Sequence, residues 1–383
     1  MSGAPKLLIT ATIPETIRAF LLPYARHFRA LGWQVGAMAR DITKCDGLAA
    51  HFDKLFDAQW DRNPFNPSNV TKNAGLIREI TASENYDIVH THTPVASFVT
   101  RFALRQLKRK GRPAVVYTAH GFHFYQGGKR TRNRIFRALE RMAGRWTDRL
   151  VTINMEDFEA AKKYGIVPEE KLAYMPGIGL DFARYDPGGV AKADIRQMRD
   201  QLGLKGDDIL FSMIGEFNPG KRYADAINAF ANLGHSGAHI AFAGEGPMKE
   251  KMQKLTKTLG LSKRVHFLGK LKDVAPIIMA SRAILIPSER EGLSRTAMEA
   301  SCLGIPIIGS NARGVRDVVQ PGRGLLYPTG DIYALRDAMQ QLTEEPYGSV
   351  APDDAWRIEN LIGLHENLYA ELLNKPEQAQ ETA

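Results

Sequence analysis

The sequence predicts an α/β protein built from two doubly wound parallel-sheet domains. Three features carry that expectation. Short apolar runs closed by Pro or Gly alternate with longer amphipathic stretches along almost the whole chain, the pattern of strand–helix–strand crossovers. The pattern pauses at 186–195, DPGGVAKADI, where Pro187, Gly188 and Gly189 read as a linker, and then restarts. The length, 383 residues, is too great for one ordinary core and suits two.

In the first half, Lys6–Thr10 (KLLIT) reads as the opening strand. A loop with Pro14 leads into a helix over 17–31 that Gly32 ends, and Gln34–Ala39 is the second strand. Strands follow at 87–91, 114–118, 149–153 and 172–175, with a helix over 95–110. After the linker, strands are expected at Ile209–Ile214, 239–243, 264–268, Ala283–Ile286, 305–308 and Gly324–Tyr327. Helices centred near Ala226, Lys251, Ala275, Glu299 and Ala334 separate them, and a last amphipathic helix covers 359–373. The expected division is 1–188 with a C-terminal helix at 356–373, then 195–355, with 374–383 a frayed tail.

Composition narrows the function classes. Hydrophobic content of 44% with 24% charged residues is that of a globular chain. No apolar run approaches the roughly 20 residues of a membrane span, and the first residues lack the apolar core of a secretory signal. Cys45 and Cys302 suggest neither a disulfide framework nor a cysteine metal site. A cytoplasmic location is expected. The net charge of +9 favours anionic partners. Much of the excess lies in 101–112 and 129–149. In the second segment Ile135, Phe136, Leu139, Met142, Ala143 and Trp146 recur at helical spacing. Such a helix packs on its own sheet, and its basic face can rest on an anionic membrane. A peripheral position at the inner face of the cytoplasmic membrane is therefore expected. No readout module accompanies the basic residues, so nucleic acid is not an expected partner. No GxGxxG follows either first strand, which argues against NAD or FAD.

The chemistry concentrates in ILIPSEREGLSRTAMEASCLGIPIIGS, residues 284–310. A buried strand ends at Pro287, a polar loop follows, and Ser294 is placed to cap a helix that Gly304 stops. Glu291 then sits in the loop at the strand's carboxyl end, and Glu299 lies inside the helix. Between them are the unpaired N–H groups of the helix start, where a diphosphate fits. In the 215–222 loop (GEFNPGKR), a Gly-containing turn after a strand leads to Lys221 at a helix mouth, a phosphate-binding arrangement. His90, His92, His120 and His123 stand at strand ends in the first half. They invite a metal, but no carboxylate joins them at ligand spacing and the chain contains no Asp-x-Asp.

The wording Glu291-Gly292-x-x-x-x-x-x-Glu299, preceded by Pro287-Ser288 and followed by Ala300-x-x-x-Gly304-x-Pro306-Ile307-Ile308, resembles the signature of the retaining, nucleotide-sugar-dependent glycosyltransferases of family 4. Where that family has Gly-Arg-x-x-x-x-Lys-Gly, this chain has Gly215, Glu216, Lys221 and Arg222. Lys221 matches the lysine, Glu216 reverses the charge of the arginine, and Arg222 replaces the glycine. Gly244-Glu245-Gly246-Pro247 is similar to the family's turn after the second strand, and 264–269, with Val265 and His266, to the strand whose backbone borders the nucleobase. Gly314-Val315-Arg316-Asp317 resembles a Gly-x-x-Glu turn. His120 matches a histidine near the donor sugar. Met175–Asp181 with Tyr185 resembles Pro-Asn-Gly-Val-Asp-x-x-x-Phe without the Asn, and the first loop, 11–14, lacks a usual Gly-Gly pair.

The resemblance implies the GT-B architecture, two Rossmann-like domains facing a cleft, with the final helix crossing back to the first. It implies that Lys221, Arg222 and the helix start at Ser294, Arg295 and Thr296 hold the donor diphosphate. Glu299 would hold the ribose and Glu291 the donor sugar, while Gly215, Glu245, Val265 and His266 line the donor site and His120 orients the sugar. Neither cofactor nor metal is expected. HTHTP at 90–94 and TAHGFHF at 118–124 are similar to transferases that build bacterial surface polysaccharide on a polyprenyl-diphosphate carrier. A UDP-sugar donor, with an N-acetylhexosamine preferred, and a lipid-linked saccharide acceptor follow. A nucleotide-sugar 2-epimerase and a non-catalytic nucleotide-sugar-binding subunit share enough of this pattern to stand as alternatives.

Overall fold

The computed structural model describes residues 3–61, 63, 66–107 and 113–374. The chain forms two compact units, unit 1 from Met1–Gly179 with Ile358–Ala383, and unit 2 from Leu180–Arg357.

Unit 1 opens with β1 (Lys6–Thr10). One continuous helical stretch follows: α1 (Pro14–Thr16), a π-helical turn at Ile17–Leu21, and α2 (Leu22–Ala30). Pro14 begins it because a proline ring pre-sets the helical φ and the missing N–H is one the first turn would leave unpaired. Then come β2 (Gln34–Ala39), β3 (Lys54–Asp57), α3 (Ser68–Glu84), β4 (Ile88–His92), α4 (Pro94–Leu104) and β5 (Ala114–Ala119). The unit continues with α5 (Arg130–Gly144), β6 (Arg149–Thr152), α6 (Met155–Lys163) and β7 (Leu172–Tyr174). Its seven strands are parallel in the order β3-β2-β1-β4-β5-β6-β7. Both faces are buried, as a parallel sheet requires. Leu7 and Ile9 of β1 join Val35, Ala37, Ile88 and Val116 in one core, while Leu8 joins Met38, Val89 and Val115 in another. Successive residues point to opposite faces, so near-continuous apolar runs feed both.

Unit 2 contains α7 (Lys192–Gln201), β8 (Ile209–Ile214), α8 (Tyr223–Ala231), β9 (Ala238–Ala243), α9 (Lys249–Thr258) and β10 (Val265–Gly269). It continues with α10 (Ala275–Met279), β11 (Ala283–Ile286), α11 (Arg295–Cys302), β12 (Ile307–Ser310), β13 (Gly324–Tyr327) and α12 (Ile332–Glu344). The six strands are parallel in the order β10-β9-β8-β11-β12-β13. The chain ends its described part in α13 (Ile358–Leu373), whose Leu361, Leu368 and Tyr369 pack in the β1 core of unit 1. Both units are Rossmann-like.

Several expectations need correction. Residues 186–195 are not where the units divide; the division falls at Gly179 and Leu180. The Leu180 N–H donates to the Trp356 carbonyl at 2.8 Å, and Leu180 and Tyr185 lie in a unit 2 core. The stretch read as linker holds a short 3-10 turn at Pro187–Gly189 and the start of α7. Unit 2 runs on to Arg357 because Trp356 is buried in the same core. Strand β3 and helix α3 were not foreseen. The first is a four-residue edge strand. The second buries Asn69, Asn73 and Thr81 beside Ala74 and Ile77, so polar residues interrupt the apolar stripe of its inward face. Its Asn73 and Asn69 side chains accept from the Gln59 and Asp61 backbone N–H groups at 2.7 Å each. Helix α4 stops at Leu104, not 110, and residues 108–112 lie outside the described residues. Of the expected tail, only Asn374 is described.

Arg101, counted above in a basic surface segment, is a core residue at 1% exposure. Its Nη2 donates to Glu140 Oε2 at 2.8 Å, joining α4 to α5, and its guanidinium lies 4.2 Å above the Tyr117 ring. A buried arginine needs such a carboxylate.

Candidate active site

In an open doubly wound sheet, ligands bind outside the carboxyl ends of the strands where the strand order reverses. In unit 2 that point lies between β8 and β11, and the loops after those two strands carry Gly215, Lys221, Arg222, Glu291 and Ser294.

The loop after β8 runs from Gly215 into a 3-10 turn at Pro219–Lys221. Asn218 shapes it, its side-chain oxygen accepting from the Lys221 N–H at 3.2 Å. The Tyr223 hydroxyl anchors it by donating to the Gly215 carbonyl at 2.7 Å. Lys221 folds back over Gly215; a Cβ there would lie 3.4 Å from the lysine Cε. The Lys221 ammonium donates to Glu291 Oε1 at 2.7 Å. The Glu289 N–H also donates to the Gly220 carbonyl at 2.8 Å, so the two loops are stitched across the reversal point.

The loop after β11 is held from a third side. The Glu291 N–H donates to the Arg313 carbonyl at 2.9 Å, and Arg313 Nε returns a bond to the Glu291 carbonyl at 3.2 Å. Gly314, at φ +72°, lets the two loops touch, since a Cβ there would sit 2.5 Å from the Gly292 carbonyl oxygen. Ser294 takes the N-cap position of α11, but its side chain makes no capping bond, so that part of the expectation fails. Its backbone N–H is spent instead on Gly314 at 3.0 Å. Inside α11, Glu299 is 5% exposed, and its Oε1 accepts from both Arg295 Nε at 2.8 Å and the Tyr185 hydroxyl at 2.7 Å. Arg295 therefore pairs with a carboxylate one helical turn on. Thr296 is half-buried beside it.

Arg222 faces two carboxylates. Its guanidinium faces Asp225 at 2.6 Å and Glu289 at 3.2 Å, two carboxylates that take up its charge. Its backbone is left-handed, φ 54°, a conformation that costs a non-glycine residue about 1–2 kcal/mol. Glu216 is exposed and bonds only locally, to the Asn218 side-chain amide at 3.2 Å. Glu245, after β9, pairs with Lys249 at 2.7 Å. Beside it Gly244 is obligatory, because a Cβ would lie 1.9 Å from the Gly215 carbonyl oxygen. Val265 and His266 stand at the amino end of β10, the wrong end for a ligand. Val265 is buried and His266 bonds His239 at 3.0 Å. The loop-side end is Leu268–Gly269, where the register slips and the Gly269 carbonyl accepts from Gly244 at 2.7 Å.

In unit 1 the strand order reverses between β1 and β4. There the first loop, which lacks the usual glycine pair, is tied to α4 by hydroxyls. Thr93 Oγ1 accepts from the Thr12 N–H at 3.1 Å and meets Thr12 Oγ1 at 2.7 Å. Thr93 is held at φ 65°, a strained position that this pairing over-determines. Beside it lies a chain of imidazoles. His92 Nδ1 and His120 Nε2 are 2.9 Å apart. His90 Nε2 meets Thr118 Oγ1 at 2.8 Å, and its Nδ1 makes a short bond to the Tyr369 hydroxyl. His365 of α13 stacks on His90 with ring centres 5.5 Å apart. His90, His92, His365, Tyr24 and Tyr369 line one pocket.

Burial is the main reason these rings stay neutral. It pushes His120 down to about 4, helped by the nearby His365, and His365 itself to about 4. His90 and His92 are held well below the ordinary histidine range, first by burial and then by the neighbouring histidines. His123, grouped above with these residues, lies elsewhere, edge-on to Phe136 at 4.7 Å. Among the described residues no three His, Cys, Asp or Glu side chains are grouped to hold a metal ion. Sequence reasoning missed His365 and Tyr369. Their i, i+4 spacing on an amphipathic helix shows a shared face, but not that the face meets the β4 histidines.

Known proteins resemble the chain along both units. Residues 194–357 match the family model for glycosyl transferases group 1, and residues 20–177 match that for glycosyltransferase family 4. The glycosyltransferase EpsD of Bacillus subtilis (strain 168) is 34% identical over 345 residues, spanning 89% of this chain and 88% of that protein. An Escherichia coli UDP-Gal:α-D-GlcNAc-diphosphoundecaprenol α-1,3-galactosyltransferase is 30% identical over 292 residues, spanning 72% of this chain and 73% of that protein. Among solved structures, Anabaena HepE in complex with UDP and glucose superposes with a TM-score of 0.79 at 19% identity, covering 96% of this chain and all of that one. The chain belongs to the family 4 glycosyltransferases and is a transferase of GT-B architecture.

Proposed function

We propose that the protein moves a sugar, with retention at the anomeric carbon and without a metal, from a UDP-sugar to a polyprenyl-diphosphate-linked saccharide. The observation that carries this reading is the Lys221–Glu291 bond of 2.7 Å across the strand reversal of unit 2. An ammonium suited to a leaving diphosphate and a carboxylate suited to sugar hydroxyls stand side by side there, which supports the reading. When the donor binds, its phosphate replaces Glu291 as the partner of Lys221, and the carboxylate is released to the sugar hydroxyls. Lys221 and the backbone N–H groups of Arg295 and Thr296, at the start of α11, then stabilise the charge that builds on the nucleoside diphosphate as the glycosidic bond breaks. Glu291 favours the oxocarbenium-like charge on the sugar. Glu299 accepts the ribose hydroxyls, and His120 supplies a neutral imidazole to a sugar hydroxyl.

The donor and acceptor classes draw support from the E. coli relative, whose name specifies UDP-Gal and a diphosphoundecaprenol-linked GlcNAc. A membrane-surface position draws support from α5. Ile135 and Met142, two turns apart on one face, are 50% and 39% exposed. Arg134, Arg141 and Arg145 are exposed around them. That pairing of apolar tips with arginines suits an anionic lipid surface. Among the described residues no helix is long and apolar enough to cross a membrane.

The test is release of nucleoside diphosphate from a panel of UDP-, GDP- and dTDP-sugars, with and without polyprenyl-diphosphate saccharides in detergent. Release from one UDP-sugar, raised by the lipid acceptor and lost in Glu291→Ala, is the expected result. Binding without release from any pair contradicts it, and solvent hydrogen entering C2 of the donor without acceptor points to an epimerase.

A further inference from the structure

Tyr185 stands outside the loops that carry the other site residues, only a few positions after the chain enters unit 2. Its ring is 3% exposed and packs with Leu180, Met298 and Trp356. A phenylalanine of the same shape would fill that space. The hydroxyl is therefore not required by packing, and a buried hydroxyl costs stability unless it is paired. Here it donates to Glu299 Oε1 at 2.7 Å. Arg295 Nε donates to the same oxygen at 2.8 Å. Two donors on one oxygen fix both the rotamer and the twist of the carboxylate. They leave Oε2 as the oxygen that meets a ligand. Burial, and then the charge of Glu299, raise the Tyr185 hydroxyl to about 12, so it remains a donor throughout the neutral range.

We propose that Tyr185 is a positioning residue for nucleotide recognition, its hydroxyl holding Glu299 in the orientation that accepts the ribose hydroxyls of the donor. This rests on the reading of Glu299 as the ribose-binding carboxylate. Tyr185 itself touches no substrate. It acts as outer-layer partners do around other binding groups, by removing rotamers that the ligand would otherwise have to select.

The test is calorimetric titration of wild type, Tyr185→Phe and Glu299→Gln with UDP and with 2′,3′-dideoxy-UDP, which lacks both ribose hydroxyls. Tyr185→Phe should weaken UDP roughly tenfold, yet change the dideoxy nucleotide less than about threefold. In turnover, donor KM should rise more than kcat falls. A merely structural tyrosine would weaken both nucleotides alike, and that result overturns the proposal. So does a Tyr185→Phe protein that binds UDP as wild type does while Glu299→Gln still discriminates by ribose; the ribose reading then survives alone. If Glu299→Gln binds both nucleotides with wild-type affinity, the ribose reading itself fails and the proposal with it.

Discussion

The two strand-reversal points are built on the same topology and filled with opposite chemistry. In unit 2 the loops after β8 and β11 meet through ions: Lys221 with Glu291, Arg222 with Glu289, and Arg295 with Glu299 nearby. In unit 1 the corresponding loops meet through a threonine pair, flanked by buried imidazoles that stay uncharged at neutral pH. The backbone supplies the same crevice in each case. What distinguishes them is which side chains the loops deliver, and so which ligand each can desolvate. Separated charges suit a diphosphate leaving group, whereas neutral donors and acceptors suit the hydroxyls of a saccharide. The difference teaches that fold identity here says nothing of role, and that charge placement does.

The largest effects should come from removing the ionic pair. Lys221→Ala or Glu291→Ala should each lower sugar transfer by about 10²–10³-fold, read as initial rates of nucleoside diphosphate release. Equal losses from Thr93→Ala would break the contrast between the two units.

Acid should act on unit 1 instead. His120 and His365 titrate near 4 when folded and near the ordinary 6.5 when unfolded, so the unfolded chain binds more protons in between. Their stability contribution is complete above about pH 6.5 and is lost as pH falls towards about 4. Thermal unfolding should drop on the order of 5–10 °C between pH 7 and pH 5. His365→Asn should flatten that slope, and a slope unchanged by the substitution would refute the account of the cluster.

Smaller effects sharpen the comparison. Replacing Ile135 and Met142 by Asp should reduce sedimentation with anionic vesicles about tenfold while leaving UDP affinity alone. Smallest of all, Arg222→Gly should relieve the left-handed strain and remove two ion pairs, leaving Tm within a few degrees and UDP affinity within about threefold. A large loss of UDP affinity would instead place Arg222 on the phosphate.

Much of this was legible in the sequence because parallel strands buried on both faces read as apolar runs. Lys6–Thr10, Gln34–Ala39, Ile209–Ile214, Ala283–Ile286 and Gly324–Tyr327 have the bounds their composition gives. Where burial is polar or partial the signal fades. Asn69 and Asn73 hide the inward face of α3, and the edge strand Lys54–Asp57 is too short to show a period. The division between units was misplaced because Pro187 and Gly188 look more like a break than Gly179 does. Yet it is Leu180 and Tyr185, apolar and buried, that commit the chain to unit 2.

The loop-to-helix placement of Lys221, Glu291 and Glu299 was readable from local wording, since the motif fixes their neighbourhood. The ion pairs of Arg222 were not, because Asp225 and Glu289 lie on two different elements. Nor was the histidine chain, because His365 reaches His90 from the far end of the chain, a pairing that only the tertiary fold brings together.

The central claim is that the diphosphate belongs to the charged reversal point and not to the neutral one. Calorimetric titration of UDP into wild type, Lys221→Ala and His120→Ala tests it directly. The account predicts at least tenfold weaker binding for Lys221→Ala, with His120→Ala indistinguishable from wild type. Wild-type affinity in Lys221→Ala, or an equal loss in His120→Ala, would contradict it.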